Sequence, residues 1–277
     1  MPRSRGPWNS GRTIGVDRIE FVPDPELSLP PTRPLAPPGP DWEARVVPST
    51  GVGIWTYTAP DTDTPLDVWQ TWWEAYPETG WWPLLFDLEW AWPSVSEPAV
   101  GGGEPAASGA EWLTRRLWGG SYPLADQIPC TGSLGWPIFG KPKRTQPFNQ
   151  ISAVDVILVP APAPWLVPEV LGWNGGRKHQ VYGAQHSLVL RRWAGLYGVE
   201  PFAMSLDSLI LRSTRPPQTR ETAWAATLEL VGYCPELVDP TDGEPLEQWV
   251  SHVTGGQWDC WFNWASLDGD GSEDEEV

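Results

Sequence analysis

The chain has 277 residues, enough for one large core or two smaller ones, because single cores stop growing at roughly 250 to 300 residues. Its formal charge is −17 and its only lysines are Lys141, Lys143 and Lys178, so nucleic acid is not an expected partner: phosphate backbones need a basic surface. Cys130, Cys234 and Cys260 stand far apart, with no Cys-x-x-Cys pair and no neighbouring His pair, which gives neither a disulfide framework nor a zinc ligand set.

Widely spaced free cysteines fit a reducing cytoplasm, the expected location. The first residues, Met1 to Gly6, run into polar, Pro-rich sequence and not into an apolar leader, so no signal peptide is expected. Pro, Gly or charge interrupts every Trp-rich stretch before 18 apolar residues accumulate, so neither a membrane-spanning helix nor a membrane partner is expected.

Residues 1–41 carry eight prolines between Pro23 and Pro40, a density that predicts a flexible extended arm. Residues 42–149 read as a Trp-rich α+β half. Val52 to Tyr57 predicts a strand, and Thr64-Pro65 opens a helix whose Trp69, Trp72, Trp73 and Tyr76 share one face as core packing, with Pro77 expected to stop it. Trp82 to Asp87 predicts a buried strand, Pro98 to Gly109 a loop, and Ser108-x-x-Glu111 the capping box of a further helix. The one compact basic run, Lys141-Pro-Lys143-Arg144, reads as a solvated loop.

Residues 150–266 read as a C-terminal α+β domain. Val154 to Val159 predicts a central strand, and a short helix ends near Leu171-Gly172. Gln185 to Tyr197 predicts a helix closed by Gly198, with Val189, Trp193 and Leu196 inward. Glu200 to Ser213 predicts two extended segments about Leu206-Asp207-Ser208. Thr219 caps a helix with Trp224, Leu228 and Val231 on one face, Leu246 to Val253 form another that Gly255 ends, and Gln257 to Trp264 form the last strand. Residues 267–277 hold six acidic side chains between Asp268 and Glu276 and predict a disordered tail. Strands and helices alternate without a repeated βαβ unit, so the expected fold is α+β, a mixed or mainly antiparallel sheet packed with helices.

Several words of the second half, taken together, are distinctive: Leu171-Gly-Trp173, Leu190-Arg-Arg-Trp193 with Leu196-Tyr-Gly198, Met204-Ser-Leu-Asp207-Ser-Leu209, Arg215-Pro-Pro217, Tyr233-Cys-Pro-Glu236 and Trp258-Asp-Cys-Trp261. In this order they resemble a bacterial, mainly actinobacterial, domain-of-unknown-function family numbered 4253. That family usually has Phe-Cys-Pro-Asp where this chain has Tyr233-Cys234-Pro235-Glu236. Tyr76 to Leu85 is similar to the segment that precedes a strand in such proteins. The resemblance implies a fold unit and brings no reaction, substrate or cofactor with it.

Catalytic signatures are sparse. Cys234 reads as a small buried thiol terminating a helix; pairing with His186 or His252 is the nucleophilic alternative. His179, His186 and His252 lack the spacing of metal ligands, and no glycine run has phosphate-loop spacing, so no metal or cofactor is expected. Asp268 to Glu273 begins like a calcium loop but has Glu273 where the sharp-turn glycine belongs. What remains is an excess of aromatic residues, with ten of the 21 tryptophans between Trp55 and Trp118. Along the last strand Trp258, Cys260, Phe262 and Trp264 alternate to one side, which sets Trp261 on the other with Asp259 and Asn263, exposed unless a second layer covers it.

The expected function is a non-catalytic protein-binding module, with an acidic surface and Trp anchors that engage a basic protein, such as a toxin or effector to be neutralised. Trp173, Asp207, Arg215, Cys234 and Trp261 are the candidate binding residues. The alternatives are an enzyme with a dispersed pocket drawing on Arg215, Asp207, His186 or Cys234, and a carbohydrate or small-ligand binder using exposed Trp faces.

Overall fold

A computed structural model of the chain describes residues 20–29, 36, 38–58, 64–96, 106–119, 155–238 and 246–262. Seven strands and seven α-helices lie within them: β1 (Glu43–Val46), β2 (Gly53–Thr58), α1 (Thr64–Thr79), β3 (Trp82–Phe86), α2 (Leu88–Ser96), α3 (Gly109–Trp118), β4 (Asp155–Val159), α4 (Val167–Leu171), α5 (Gly183–Tyr197), β5 (Val199–Met204), β6 (Ser208–Ser213), α6 (Arg220–Tyr233), α7 (Leu246–Gly255) and β7 (Gln257–Trp261). The basic run at Lys141–Arg144, Cys130, Asn263, Trp264, the acidic tail and most of the expected loop at 98–109 lie outside the described residues.

The strands form a single sheet in the order β1-β2-β4-β3-β5-β6-β7. All neighbours are antiparallel except β3 and β5, which run parallel through Leu85↔Ala203 and Phe86↔Met204, so the fold is the expected mixed, mainly antiparallel α+β. The two segments read as separate halves share this sheet, with β4 lodged between β2 and β3.

Side-chain alternation divides the sheet into two unequal faces. On the first, Leu84, Phe86, Ile157, Val159, Leu209, Leu211, Trp258, Cys260 and Phe262 pack against residues of α2 to α7, including Val189, Trp193, Leu230, Tyr233 and Val253. On the second, Leu85, Val156, Phe202, Ala203 and Ile210 pack beneath Trp69 of α1. The aromatic stripe of α1 is core packing as expected. Trp69 is buried, its indole N–H donating to the Pro83 carbonyl at 3.0 Å, and Trp73 stacks on it at a centroid distance of 6.1 Å. The Arg212 guanidinium lies over both rings and pairs with Glu200 at 3.2 Å.

Local chemistry explains most boundaries. Ser108 caps α3 by accepting from the Glu111 N–H, and Thr219 caps α6 by accepting from the Thr222 N–H. Gly198 ends α5 at φ 61°, and a Cβ there would also collide with the Thr214 hydroxyl.

Three features differ from expectation. Helix α1 continues past Pro77 to Thr79, because the Thr79 hydroxyl donates to the Ala75 carbonyl at 3.0 Å and the Gly80 N–H to the Tyr76 carbonyl at 2.9 Å, completing the turn that Pro77 weakens. Strand β1 and helix α2 were not expected. Helix α2 carries Pro93 internally and starts from Asp87, whose side chain accepts from the Glu89 N–H at 3.1 Å. Finally, part of the Pro-rich arm is packed: residues 20–29 run without regular structure across α3 and α5.

Candidate functional site

Strands β3, β5 and β7 end on one side of the sheet, where β6 begins, so the β5–β6 turn meets the end of β7 there. The turn is a tight hairpin in which the Ser205 N–H donates to the Ser208 carbonyl at 2.8 Å, raising Leu206 and Asp207 above the sheet edge. The Phe262 N–H then donates to the Asp207 carbonyl at 2.8 Å and fixes the register of β7 against the turn.

Trp261 stands beside this turn. Trp258, Cys260 and Phe262 point into the first face and are buried, whereas Trp261 emerges on the second face at 48% exposure. Its indole N–H donates to Asp207 Oδ2 at 3.1 Å, and its carbonyl accepts from the Cys234 thiol at 2.8 Å. An exposed aromatic side chain is thus held by a carboxylate at its tip and a thiol at its backbone. Asp259 lies two residues earlier on the same side of β7, its carboxyl raised in pKa by burial against the opposing hydrogen bonds from Gln257.

Four of the five candidate residues converge here. Cys234 is the C-cap of α6 and fully buried, and burial pushes its thiol well above the ordinary range, so it serves as a hydrogen-bond donor and not as a thiolate. Trp173 is buried beneath the turn, donating from its indole to the Ser205 carbonyl at 2.9 Å and packing on Phe262 and His186. Arg215 is elsewhere: its guanidinium donates to the Ala194 and Gly195 carbonyls at 2.9 Å and closes the C-terminus of α5. With the Thr214 N–H on the Gly198 carbonyl, Arg215 sits at the opposite end of β5 and β6 from Asp207, about 20 Å away for a six-residue strand.

The expected alternative pairings of Cys234 are not formed. His186 is fully buried and its Nδ1 lies 2.5 Å from the Tyr233 hydroxyl, inside an aromatic box of Trp173, Tyr233 and Phe262. Burial, only partly opposed by the Val181 carbonyl, lowers its pKa to about 3, so it stays neutral across the physiological range. His252 packs against the Trp249 ring, tilted, at a centroid distance of 4.9 Å. Buried thiol and buried imidazole are therefore parts of the packing under the Trp261 surface.

A polar cluster that sequence reasoning did not nominate borders Cys234. Glu236 accepts from Lys178 Nζ at 2.6 Å and from His179 Nε2 at 2.9 Å, and the Arg116 guanidinium donates to the His179 carbonyl at 2.8 Å while lying over the Trp112 ring. Burial lowers the pKa of His179, with Glu236 working against that shift. The signal available in sequence was the Tyr233-Cys-Pro-Glu236 word, but its partners lie 57 and 58 residues away on a single 3-10 turn, Arg177–His179, too short to show a periodicity.

Chemically, the Trp261 edge offers an aromatic face, a carboxylate beside it and a rigid support. Among the described residues no three His, Cys, Asp or Glu side chains are placed to hold a metal ion, and no helix is long and apolar enough to cross a membrane. No curated protein and no solved structure matches the chain. Residues 155–264, from the first residue of β4 to just beyond β7, match the family model described as a domain of unknown function, DUF4253.

Proposed function

We propose that the chain is a non-catalytic protein-binding module whose Trp261 edge receives a basic side chain of a partner protein. The observation that carries this reading is the double fixation of an exposed indole, by Asp207 at its N–H and by Cys234 at its backbone. An aromatic anchor already held in place loses little freedom on binding, which is how interface hot spots gain affinity. An arginine or lysine laid over the ring gains a cation–π contact of ~0.5–2 kcal/mol and meets Asp207 at the ring's edge. The formal charge of −17 favours a basic partner, and a basic toxin or effector is the partner class that charge suits.

A cytoplasmic setting fits the two buried free thiols, Cys234 and Cys260, neither of which is in a disulfide. The raised thiol pKa of Cys234, the distance of Arg215 from Asp207 and the neutral, enclosed His186 support binding over chemistry. Affinity capture from native-host lysate with quantitative mass spectrometry tests the reading, comparing wild type with Trp261→Ala and Asp207→Asn. A basic protein retained by wild type and depleted at least tenfold in both variants is expected; equal recovery by all three would refute the assignment of the surface.

A further inference from the structure

Residues 20–29 lie on the body as a bound peptide would. They form no strand or helix, and their contacts are made by side chains and isolated carbonyls. Phe21 packs on Trp118 at 5.5 Å and beneath the Arg192 guanidinium at 5.6 Å. The Val22 carbonyl accepts from Arg192 Nη1 at 2.6 Å. The Asp24 carboxylate occupies the N-terminus of α3, accepting from the Gly109 N–H at 2.6 Å and the Ala110 N–H at 3.0 Å, and also pairs with Arg192 Nη1 at 2.8 Å. Pro25 rests on Gly195 so closely that a Cβ there would sit 2.5 Å from the proline Cγ. The Leu27 carbonyl accepts from Arg191 Nη2 at 2.8 Å.

Part of the groove is held by contacts that do not involve the arm. The Arg192 side chain is fully buried and is oriented by Glu229, which pairs with it at 2.7 Å and also accepts from the Trp193 indole at 2.8 Å. The groove is also larger than its occupant. Beside Leu27 and Leu29 lies a cleft of about 450 Å³ bordered by Trp165, Leu166, Leu188 and Arg191. Ser187 also lines it, its hydroxyl buried without a hydrogen-bond partner.

We infer that the α3–α5 groove is a recognition site for a short extended segment of another protein, with the arm as its exchangeable resident. The chemistry it reads is an aromatic residue, an aspartate three positions later, a proline directly after it, and an apolar side chain three positions beyond the aspartate, bulkier than leucine, to fill the cleft. One carboxylate is specified, seated between a helix N-terminus and a buried guanidinium. The high negative charge of the chain disfavours a longer acidic partner. This surface is separate from the Trp261 edge and does not depend on it.

The test uses the full-length chain and a fluorescein-labelled decapeptide of the sequence Glu20 to Leu29, read by fluorescence anisotropy. Covalent attachment gives the resident arm a millimolar effective concentration, so wild type should bind the peptide at least tenfold more weakly than a Phe21→Ala, Asp24→Asn double variant, whose own arm is weakened. On that variant, a peptide with Asn for Asp should lose at least tenfold, a peptide with Phe for Leu at the Leu27 position should bind more tightly, and an added Gly195→Ala change should abolish binding by blocking the proline. A folded double variant that ignores the peptide, or that binds the Asn peptide equally well, overturns the proposal. Should the double variant not fold, the single Asp24→Asn variant decides: it should bind the labelled peptide at least tenfold more tightly than wild type, and equal binding overturns the inference. A dimer by light scattering that dissociates when peptide is added would instead make a second copy of this chain the partner, and the proposal would fall to arm exchange.

Discussion

Trp258 and Trp261 are three residues apart on β7, and both donate an indole hydrogen bond, yet they do opposite things. Trp258 is fully buried, donates to the Val253 carbonyl at 3.2 Å, and packs edge-on against Trp193. Trp261 donates to Asp207 and leaves half of its surface to solvent. The difference arises from the faces of the sheet. Helices from six segments of the chain contribute to the core on the first face, while α1 covers β3 and β4 on the second and stops short of β7. A satisfied indole N–H is therefore no guide to role; what lies over the ring decides it.

The largest expected effect falls on the first face. Trp258→Ala should cost ~3–5 kcal/mol of folding stability, since it opens a ring-sized cavity among Trp193, Tyr197 and Val253, and a denaturant titration would measure it. Arg192→Met should be of similar or slightly smaller size, about 3–5 kcal/mol, because it strands the buried Glu229 without its cation. Burial already raises the pKa of Glu229, so the deficit of this variant should shrink as pH falls and the stranded carboxyl takes up a proton, which denaturant midpoints at pH 7 and pH 5 would show.

His186 gives a smaller, pH-dependent effect. The unfolded chain protonates this imidazole near pH 6.5 and the native chain only near 3, so the unfolded state binds more protons as the pH falls below 6.5 and native stability drops. Between pH 6.5 and 5 this group should remove ~1.5–2 kcal/mol, and the stability difference between wild type and His186→Asn should narrow by that amount over the same interval. The smallest effect belongs to the second face: Trp261→Ala should change stability by no more than about 0.5 kcal/mol in a thermal melt while abolishing partner capture.

Much of the fold was legible because caps and periodicity are local. Ser108, Thr219 and Gly198 mark helix ends through bonds to residues three or four positions away, and the alternation of Trp258, Cys260 and Phe262 placed Trp261 on the other face. Helix α2 was hidden by Pro93, and β1 is a short edge strand with exposed side chains and no apolar signature. The site was partly legible: Asp207, Cys234, Trp173 and Trp261 come together, but only through hairpin and cap geometry that brings residues 27 to 54 positions apart into contact. Arg215 looked similar in sequence and is spent on a helix end.

Non-local pairing also shows why the family match does not delimit a folding unit. The matched segment contributes β4, β5, β6 and β7, and β3, from outside the match, stands between β4 and β5. Helix α3, also outside the match, packs on α5 and α6. Residues 155–264 expressed alone should lack a continuous sheet and show at most a broad, weakly cooperative melt, whereas the full chain melts sharply.

The most direct measurement on the Trp261 edge is fluorine NMR of the chain labelled with 5-fluorotryptophan, with Trp261 assigned through Trp261→Phe and titrated with a short arginine-rich peptide at moderate salt. A Trp261 resonance that shifts saturably while the Trp258 resonance stays fixed, and that ceases to shift in Asp207→Asn, is the expected result. A Trp261 resonance that does not move, or that moves no more than those of the buried tryptophans, would contradict a basic-side-chain receptor at this edge.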